Sequence, residues 1–351
     1  GVFGALSSSS GSNSWAGTIT LAGNTTVSAI ATNDFLNLAC AITGTGDLTK
    51  IGPGTMIMSG GTANTYSGST FFNEGTNLLS KSITDGAIPH ALFVGDGVGG
   101  SFSDVVRIVG QPQIATVSDV TIATSGLLDV NEISDGIGTL SGAGRVDLGS
   151  AGTGALLLNG NGSTTYSGQI VGTGGDIFKS GTGTFTLTGV NTYSGLTTVN
   201  NGSLIVNGTQ PSSPVQINAN GTLGGSGTVG NITNIVGGVV APGSSPGMLT
   251  SSNVVFSGAT SDFTVELNGT TAGSGYDQLN VRGTVALGGA TLHVVPNFSP
   301  FDAPTNGTIF TIINNDGAEA VSGTFAGLPN NFLLTAGGQS FVINYFDTFG
   351  N

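Results

Sequence analysis

The sequence predicts an all-β protein built as a parallel β-solenoid, in which successive turns of the chain stack along a common axis. The strongest observation is internal repetition. The pattern Gly-Asp-Leu-Thr-Lys-Ile-Gly-Pro-Gly-Thr at 46–55 returns as Gly-Asp-Ile-Phe-Lys-Ser-Gly-Thr-Gly-Thr at 175–184, and Asn-Thr-Tyr-Ser-Gly follows both copies, at 64–68 and 191–195. Such repeats mark units that bury their apolar faces only against their neighbours.

Composition is the second observation. Glycine supplies 62 of the 351 residues and charged residues only 7%, against typical shares of roughly 7% and 25%. The apolar fraction of 38% predicts a folded chain, because disorder needs low hydrophobicity and high charge. Little Glu, Lys or Arg is available to favour exposed helices.

Short alternating segments predict the strands. Apolar and small polar residues alternate with period two between Gly, Asn or Asp-Gly, which is typical of strands with one buried face. The clearest examples are Thr-Ile-Thr-Leu at 18–21, Thr-Phe-Thr-Leu-Thr at 184–188, Ser-Leu-Ile-Val at 203–206 and Thr-Val-Ala-Leu at 284–287. Coils of about 20 residues would give on the order of 17 turns, with Asn-Gly pairs at the corners because both residues accept positive φ.

Charge and cysteine content exclude several classes of function. Six Lys plus Arg against nineteen Asp plus Glu give a net charge of −13, so neither nucleic acid nor an anionic membrane surface is an expected partner. No run approaches the roughly 18 apolar residues of a transmembrane segment. The single cysteine, Cys40, lies in an apolar segment and is expected to be a small core residue.

We expect three parts. Residues 1–43 form an N-terminal segment or cap, residues 44–250 form the solenoid, and residues 251–351 form a β-rich continuation with a cap or assembly segment. Within the solenoid, repeats are recognised at 44–79, 140–168 and 174–208, and residues 80–135 follow the pattern loosely.

These motifs resemble the passenger-associated transport repeat of bacterial autotransporters and related surface proteins. The resemblance includes Ala-Pro-Gly-Ser-Ser-Pro-Gly at 241–247 and Tyr-Asp-Gln-Leu at 276–279, and it covers roughly 44–80 and 140–350. It implies a right-handed parallel β-helix with a β-rich C-terminal cap, exported to the bacterial cell surface or secreted. The first residue is Gly rather than Met, as expected of a processed secreted protein. Members of that group commonly end in a translocating barrel or a sorting tail, and from the final residues we expect either that processing removed such a segment or that this protein reaches its destination by another route.

The two ends of a solenoid expose unpaired strand edges and open core. Residues 1–16 contain no ionisable side chain, and eight of the eighteen phenylalanines lie in the last 54 residues. They could close a cap or join copies head to tail, since a contact that does not close into a ring propagates as a fibre. The candidate assembly residues are Val2, Phe3, Leu6, Trp15, Phe341, Phe346 and Phe349.

Other candidate sites are weaker. The acidic segment 128–135 contains Asp129, Glu132 and Asp135, which could bind Ca²⁺ or supply paired carboxylates for glycoside cleavage, and alternation places Asp129 and Asn131 on one face. Solvated carboxylates at turns are the simpler interpretation. His90 and His293 lie far apart with no nucleophile nearby in sequence, so neither a triad nor a metal cluster is expected.

Three tyrosines recur at one repeat position, at 66, 166 and 193. An outward aromatic ladder could stack on sugars, but packing against the next corner is expected. The sequence thus predicts a non-enzymatic extracellular structural protein, without cofactor or metal, whose partners are copies of itself. An adhesin or glycan-binding passenger that displays residues 80–135 is the alternative, and a polysaccharide-active enzyme is the third hypothesis.

Overall fold

The fold consists of parallel β-strands stacked as successive coils. The computed structural model describes residues 4–298, 304–316 and 319–346, and these residues contain no helix. Accordingly, none of the described residues form a helix able to span a membrane. The chain divides into two compact units, the first comprising Gly1–Gly183 with Thr192–Gly195 and the second comprising Thr184–Asn191 with Leu196–Asn351.

The first unit contains strands β1 to β21. In chain order they are Leu6–Ser8, Ser12–Trp15, Ile19–Leu21, Thr25–Ala29, Phe35–Leu38, Ile42–Gly44, Leu48–Ile51, Thr55–Met58, Thr70–Phe72, Thr76–Leu79, Leu92–Val94, Asp104–Ile108, Val120–Ile122, Gly126–Asp129, Ser134–Ile137, Leu140–Gly142, Arg145–Asp147, Ala155–Leu158, Thr164–Tyr166, Gln169–Val171 and Asp176–Lys179.

The second unit contains strands β22 to β39. They are Thr184–Leu187, Thr197–Val199, Gly202–Val206, Thr209–Gln210, Val215–Ile217, Gly221–Gly225, Thr228–Val229, Ile232–Asn234, Val239–Pro242, Met248–Ser251, Val254–Phe256, Asp262–Leu267, Gln278–Val281, Val285–Ala286, Thr291–Pro296, Ile313–Asn315, Leu333–Ala336 and Gln339–Val342.

The strands of each unit form long parallel sheets. In the first unit the two longest run β1-β4-β7-β9-β11-β13-β16-β19 and β2-β5-β8-β10-β12-β14-β17-β20, and shorter sheets run β3-β6 and β15-β18-β21. In the second unit three sheets run β22-β24-β27-β30-β33-β36, β23-β26-β29-β32-β35 and β25-β28-β31-β34-β37. Because each strand pairs with the corresponding strand of the next coil, the predicted parallel β-solenoid is confirmed. The four alternating segments contain strands β3, β22, β24 and β35.

The core consists of columns of inward side chains. Leu38, Met58, Leu79 and Ile108 occupy one register position on four consecutive coils, and Leu204, Leu223, Val240, Phe263 and Leu292 form a column in the second unit. The members of these columns are buried apart from Leu292, on the last strand of its sheet. Stacking of similar residues thus supplies the apolar contact predicted for a repeat protein.

The longest sheets of the two units contain eight and six strands, one for each coil, which is fewer than the roughly 17 turns expected from coils of about 20 residues. Coils are longer than that at several corners: hydrogen bonds to the next coil join residues 22 apart between Ile42 and Asn64 and 28 apart between Asn77 and Val105. The longer coil contains the loop at 95–103, between β11 and β12. Residues 319–346 extend beyond β37 and contribute the terminal hairpin.

The two strands of that hairpin, β38 and β39, pair antiparallel, in contrast to the parallel strands of the stacked coils. It accompanies a C-terminal cap in which Phe325, buried, stacks on Phe263 with ring centroids 5.9 Å apart. Tyr345 donates a hydrogen bond to the Leu328 carbonyl at 2.8 Å and accepts one from the Phe325 N–H at 3.0 Å. The β-rich C-terminal cap is therefore present, and an aromatic stack extends the core into it.

Gly46 and Gly68 are required at their corner by close packing, although many other glycines of the chain have positive φ. A Cβ added to Gly68 would lie 2.2 Å from the Gly46 carbonyl oxygen, and one added to Gly46 would lie 2.0 Å from that of Gly23. The sequence has seven Asn-Gly pairs, at 159, 161, 201, 207, 220, 268 and 306, and three of them contain a residue with positive φ, which is Gly202, Asn220 or Gly307. The expectation of positive φ at Asn-Gly corners therefore holds at three pairs and is wrong at the other four.

Candidate assembly surfaces and the acidic turn

The first coil presents a strand edge without charge. Among the residues that the structure describes, strands β1, β2 and β3 pair on one side only, with β4, β5 and β6. All four side chains of β2 are exposed, and Trp15 retains 46% of its accessible surface. Leu6 is half-buried, and the predicted assembly residues Val2 and Phe3 lie outside the described residues. An edge of this kind can add a strand from another chain.

The predicted aromatic residues of the C-terminal segment occupy different environments. Phe341 is half-buried, with its ring edge-on to Phe310 at 6.3 Å between centroids. Phe346 is 65% exposed, and Phe349 lies outside the described residues. Phe341 thus contributes to packing of the cap, whereas Phe346 lies at the surface.

The sequence prediction missed an apolar surface on the terminal hairpin. Leu333 and Val342 lie directly opposite each other on β38 and β39 and are 61% and 62% exposed. Phe332 beside them is also exposed. The signal in the sequence is the pair of short apolar runs, Phe332-Leu333-Leu334 and Phe341-Val342, on the two sides of Gly337-Gly338. We call Phe332, Leu333, Val342 and Phe346 the hairpin patch.

The acidic segment uses its carboxylates to hold neighbouring coils. Asp129 Oδ2 accepts a charged hydrogen bond from Arg107 Nε at 2.7 Å, and Asp129 Oδ1 accepts the Asn131 N–H at 2.9 Å. Strand β14 ends at Asp129, and Asn131 has a φ of 51°. The expected alternation of these two residues on one strand face is therefore wrong, because the chain turns between them.

Glu132 and Asp135 have opposite electrostatic environments. The carboxylate of the half-buried Glu132 accepts the backbone N–H groups of Ala151, Thr153 and Ser150, and these bonds lower its pKa to about 2. Asp135 is buried, and burial raises its pKa to about 6, although Gln113 donates its N–H to Oδ2 at 2.7 Å. Each carboxylate serves a turn of its own, and no three His, Cys, Asp or Glu side chains in the described part of the chain converge as metal ligands.

The remaining candidates from the sequence are the three repeat tyrosines, the cysteine and the two histidines. Tyr66, Tyr166 and Tyr193 are fully buried, so the sugar-stacking hypothesis is wrong and packing at the corner is confirmed. Cys40 is buried, as expected of a core residue. His90 is exposed, and His293 lies on the last strand of its sheet with Nε2 3.2 Å from Asp262 Oδ1.

The lysines are a second feature that the sequence did not reveal. All three, Lys50, Lys81 and Lys179, are buried. Lys50 Nζ donates to the carbonyl oxygens of Gly52, Gly54 and Glu74 at 2.5–2.7 Å.

Burial lowers the pKa of Lys50 to about 8, although the negative charges of Glu74 and Asp104 act to raise it. Lys81 Nζ donates to the carbonyls of Cys40 and Thr62. The Lys of the repeat motif therefore fastens the corner that follows its strand, because its ammonium supplies donors to carbonyls there.

A shallow groove of about 610 Å³ lies on the first unit, lined partly by Asp119, Asn159 and Asn161. Asp119 Oδ1 accepts both the N–H and the hydroxyl of Thr139, at 2.9 and 2.7 Å. The groove combines amide, carboxylate and hydroxyl groups with the exposed Val117.

Comparison with known sequences agrees with this architecture. The passenger-associated-transport-repeat matches at residues 48–76 and 177–206, which lie within the predicted repeats 44–79 and 174–208. No curated protein matches the chain significantly. The two matches confirm the resemblance proposed from the motifs and identify the chain as a β-solenoid carrying repeats of the kind found in autotransporter passengers.

Proposed function

We propose that the protein is a non-enzymatic, extracellular structural subunit whose copies join head to tail into a fibre or surface layer. The observation that carries this proposal is the edge of the first coil as described from residue 4 onward, where β1, β2 and β3 each pair on one side and the side chains of β2 are exposed and uncharged. Natural sheet proteins commonly protect such edges with charge, proline or a covering segment.

The environment of the acidic segment supports a structural role over catalysis. A glycosidase needs two carboxyl groups free to act on one bond. Asp129 is instead paired with Arg107, and Glu132 receives several backbone N–H groups. Passenger repeats support export to the cell surface or beyond.

Negative-stain electron microscopy of the purified full chain tests this proposal. We expect filaments or sheets whose abundance rises with protein concentration, together with a β-sheet circular dichroism spectrum. Discrete particles of one size at all concentrations would contradict assembly. Immunolabelling of intact producing cells tests the location, and label confined to permeabilised cells would contradict export.

Glycan binding is the second candidate, favoured by the polar groove on the first unit. Amide and carboxylate groups there could hydrogen-bond sugar hydroxyls, as in other small-molecule sites. Titration calorimetry with neutral oligosaccharides should detect binding that Asn159→Ala weakens. Equal binding by the variant and the parent protein would remove the groove from consideration.

A further inference from the structure

The terminal hairpin has one face toward the cap and one face toward solvent. Register places Leu334 opposite Phe341, both half-buried, and Leu333 opposite Val342, both exposed. Because strand residues alternate between faces, the exposed apolar pair belongs to the outer face. A two-stranded hairpin is marginally stable alone, and here its outer face holds apolar groups in water.

The hairpin patch also lies in an uncharged part of the chain. Residues 320–346 contain no Asp, Glu, Lys, Arg or His, although the whole chain carries a net charge of −13. Exposed apolar groups without charge are typical of contact surfaces. A second copy could therefore approach this surface without the repulsion expected elsewhere.

The first coil is chemically suited to contact the hairpin patch, because it is uncharged and exposes a large aromatic side chain. Residues 4–33 also lack every charged residue and histidine, and they contain the only tryptophan of the chain, exposed at Trp15. Large aromatic side chains commonly anchor interfaces by filling an apolar surface on the partner. The neighbouring strand β2 offers backbone donors and acceptors on its unpaired side.

We infer that the hairpin patch is the docking surface for the first coil of a second copy, with Trp15 packed against Leu333 and Val342. This inference rests on the proposed head-to-tail assembly and specifies its contact. Another uncharged segment, residues 180–261, has the exposed side chains Val190, Val236 and Val255, but its aromatic side chains are buried, unlike those of the hairpin patch. Docking of Trp15 on those valines is an alternative that the test separates.

Trp15 fluorescence gives a direct readout because no other tryptophan contributes. In the parent protein we expect its emission to shift to shorter wavelength as concentration rises and the particles grow in sedimentation velocity. The double variant Leu333→Asp/Val342→Asp should need at least about tenfold more protein for the same shift. Leu333→Thr/Val342→Thr keeps β-propensity and should weaken assembly in the same direction, with an unchanged circular dichroism spectrum.

Val98→Asp is the control, because it places a carboxylate on an exposed valine outside both the hairpin patch and the groove. It should assemble like the parent protein. Selective loss in the hairpin variants would support the inference, whereas equal loss in Val98→Asp would overturn it as a general effect of charge.

A complementation experiment separates this inference from the proposed function. Leu333→Asp/Val342→Asp keeps an intact first coil, and Trp15→Asp keeps an intact hairpin patch, so neither should form fibres alone. Mixed, they should form a one-to-one complex in which the remaining tryptophan shifts its emission. If the hairpin variant still forms fibres, this contact is wrong while fibre formation stands. If the parent protein never assembles in micrographs, the proposed function fails, and absence of the mixed complex then overturns the contact independently.

Discussion

At the scale of single residues, buried and turn-forming polar groups hold the corners of the coils. Lys50 supplies donors to three carbonyls, and Glu132 and Asp135 accept backbone N–H groups from neighbouring coils. Corners leave backbone groups without strand partners, and a buried unpaired group costs free energy. These side chains therefore stabilise turns where catalysis or metal binding was considered from the sequence.

Asp135 should make the protein more stable in mild acid. Its folded pKa of about 6 lies above the unfolded value of about 3.9, so the folded state binds more protons between these values. Its contribution is complete below about pH 4 and is lost as pH rises through 6, and it amounts to about 3 kcal/mol at most. Chemical denaturation at several pH values should show a higher free energy of unfolding near pH 4.5 than at pH 7.

Asp135→Asn should flatten this dependence between pH 4.5 and 7, and an unchanged slope in the variant would contradict the assignment.

The Glu132 carboxylate changes the stability in the opposite direction. Its lowered pKa of about 2 stabilises the fold above its unfolded value of about 4.3 and is lost as pH falls toward 2. Stability should therefore decline again in strong acid, and Glu132→Gln should reduce that decline.

Lys50→Met should lower the free energy of unfolding by about 1–3 kcal/mol, because it leaves the carbonyls of Gly52, Gly54 and Glu74 without their donor. Urea denaturation measures the change. Arg107→Met is the control, since the Arg107–Asp129 pair is partly exposed and such pairs contribute about 0–1 kcal/mol. Equal effects of the two substitutions would show that the carbonyl contacts of Lys50 contribute little.

At the scale of elements, the corners between strands are limited by the distance between coils. Gly23, Gly46 and Gly68 occupy the same corner on three consecutive coils, and each added Cβ except that of Gly23 would meet the carbonyl one coil earlier. Strand pairing holds that spacing near 4.8 Å. Glycine is therefore required by the neighbouring coil.

Gly68→Ala should destabilise the fold by about 1–3 kcal/mol, as overpacking does elsewhere. Gly23→Ala is a matched control, because nothing lies within 4 Å of its added Cβ. Thermal unfolding should show a lower midpoint for Gly68→Ala and a change near zero for Gly23→Ala. A similar loss in both would indicate a role for glycine in the turn itself.

At the scale of the whole molecule, the charge is unevenly distributed along the chain. Residues 4–33, 180–261 and 320–346 contain no Asp, Glu, Lys, Arg or His, and all three lysines are buried. The uncompensated carboxylates of the remaining segments should repel other copies over distances comparable to the Debye length.

Assembly should therefore accelerate with salt. Raising the ionic strength from about 0.1 M to about 1 M shortens the Debye length from about 10 Å to about 3 Å, which screens the net charge of −13. Light scattering should show faster growth or a lower threshold concentration at high salt. Slower growth at high salt would indicate that ion pairs, rather than apolar contacts, hold the copies together.

The sequence was sufficient to predict the fold class and several strands. Alternation located the segments that became β3, β22, β24 and β35, because a strand buried on one face alternates whatever its neighbours are. The sequence was not sufficient to predict the contacts of the acidic segment, because Asp129 and Arg107 are brought together by the stacking of two coils. The three-part division into 1–43, 44–250 and 251–351 and the assembly roles of Leu6, Trp15, Phe341 and Phe346 remain predictions.

The sequence by itself determined that the chain is a repeating parallel β-solenoid, because period-two alternation and recurring motifs act locally and in every coil. Only the tertiary structure decided which side chain meets which across the coils. It buried the three repeat tyrosines and the lysines, paired Glu132 and Asp135 with turns of neighbouring coils, and left Trp15, Leu333, Val342 and Phe346 at the surface. The reason is that exposure depends on the coil above and the coil below, and the lengths of the intervening corners set that register.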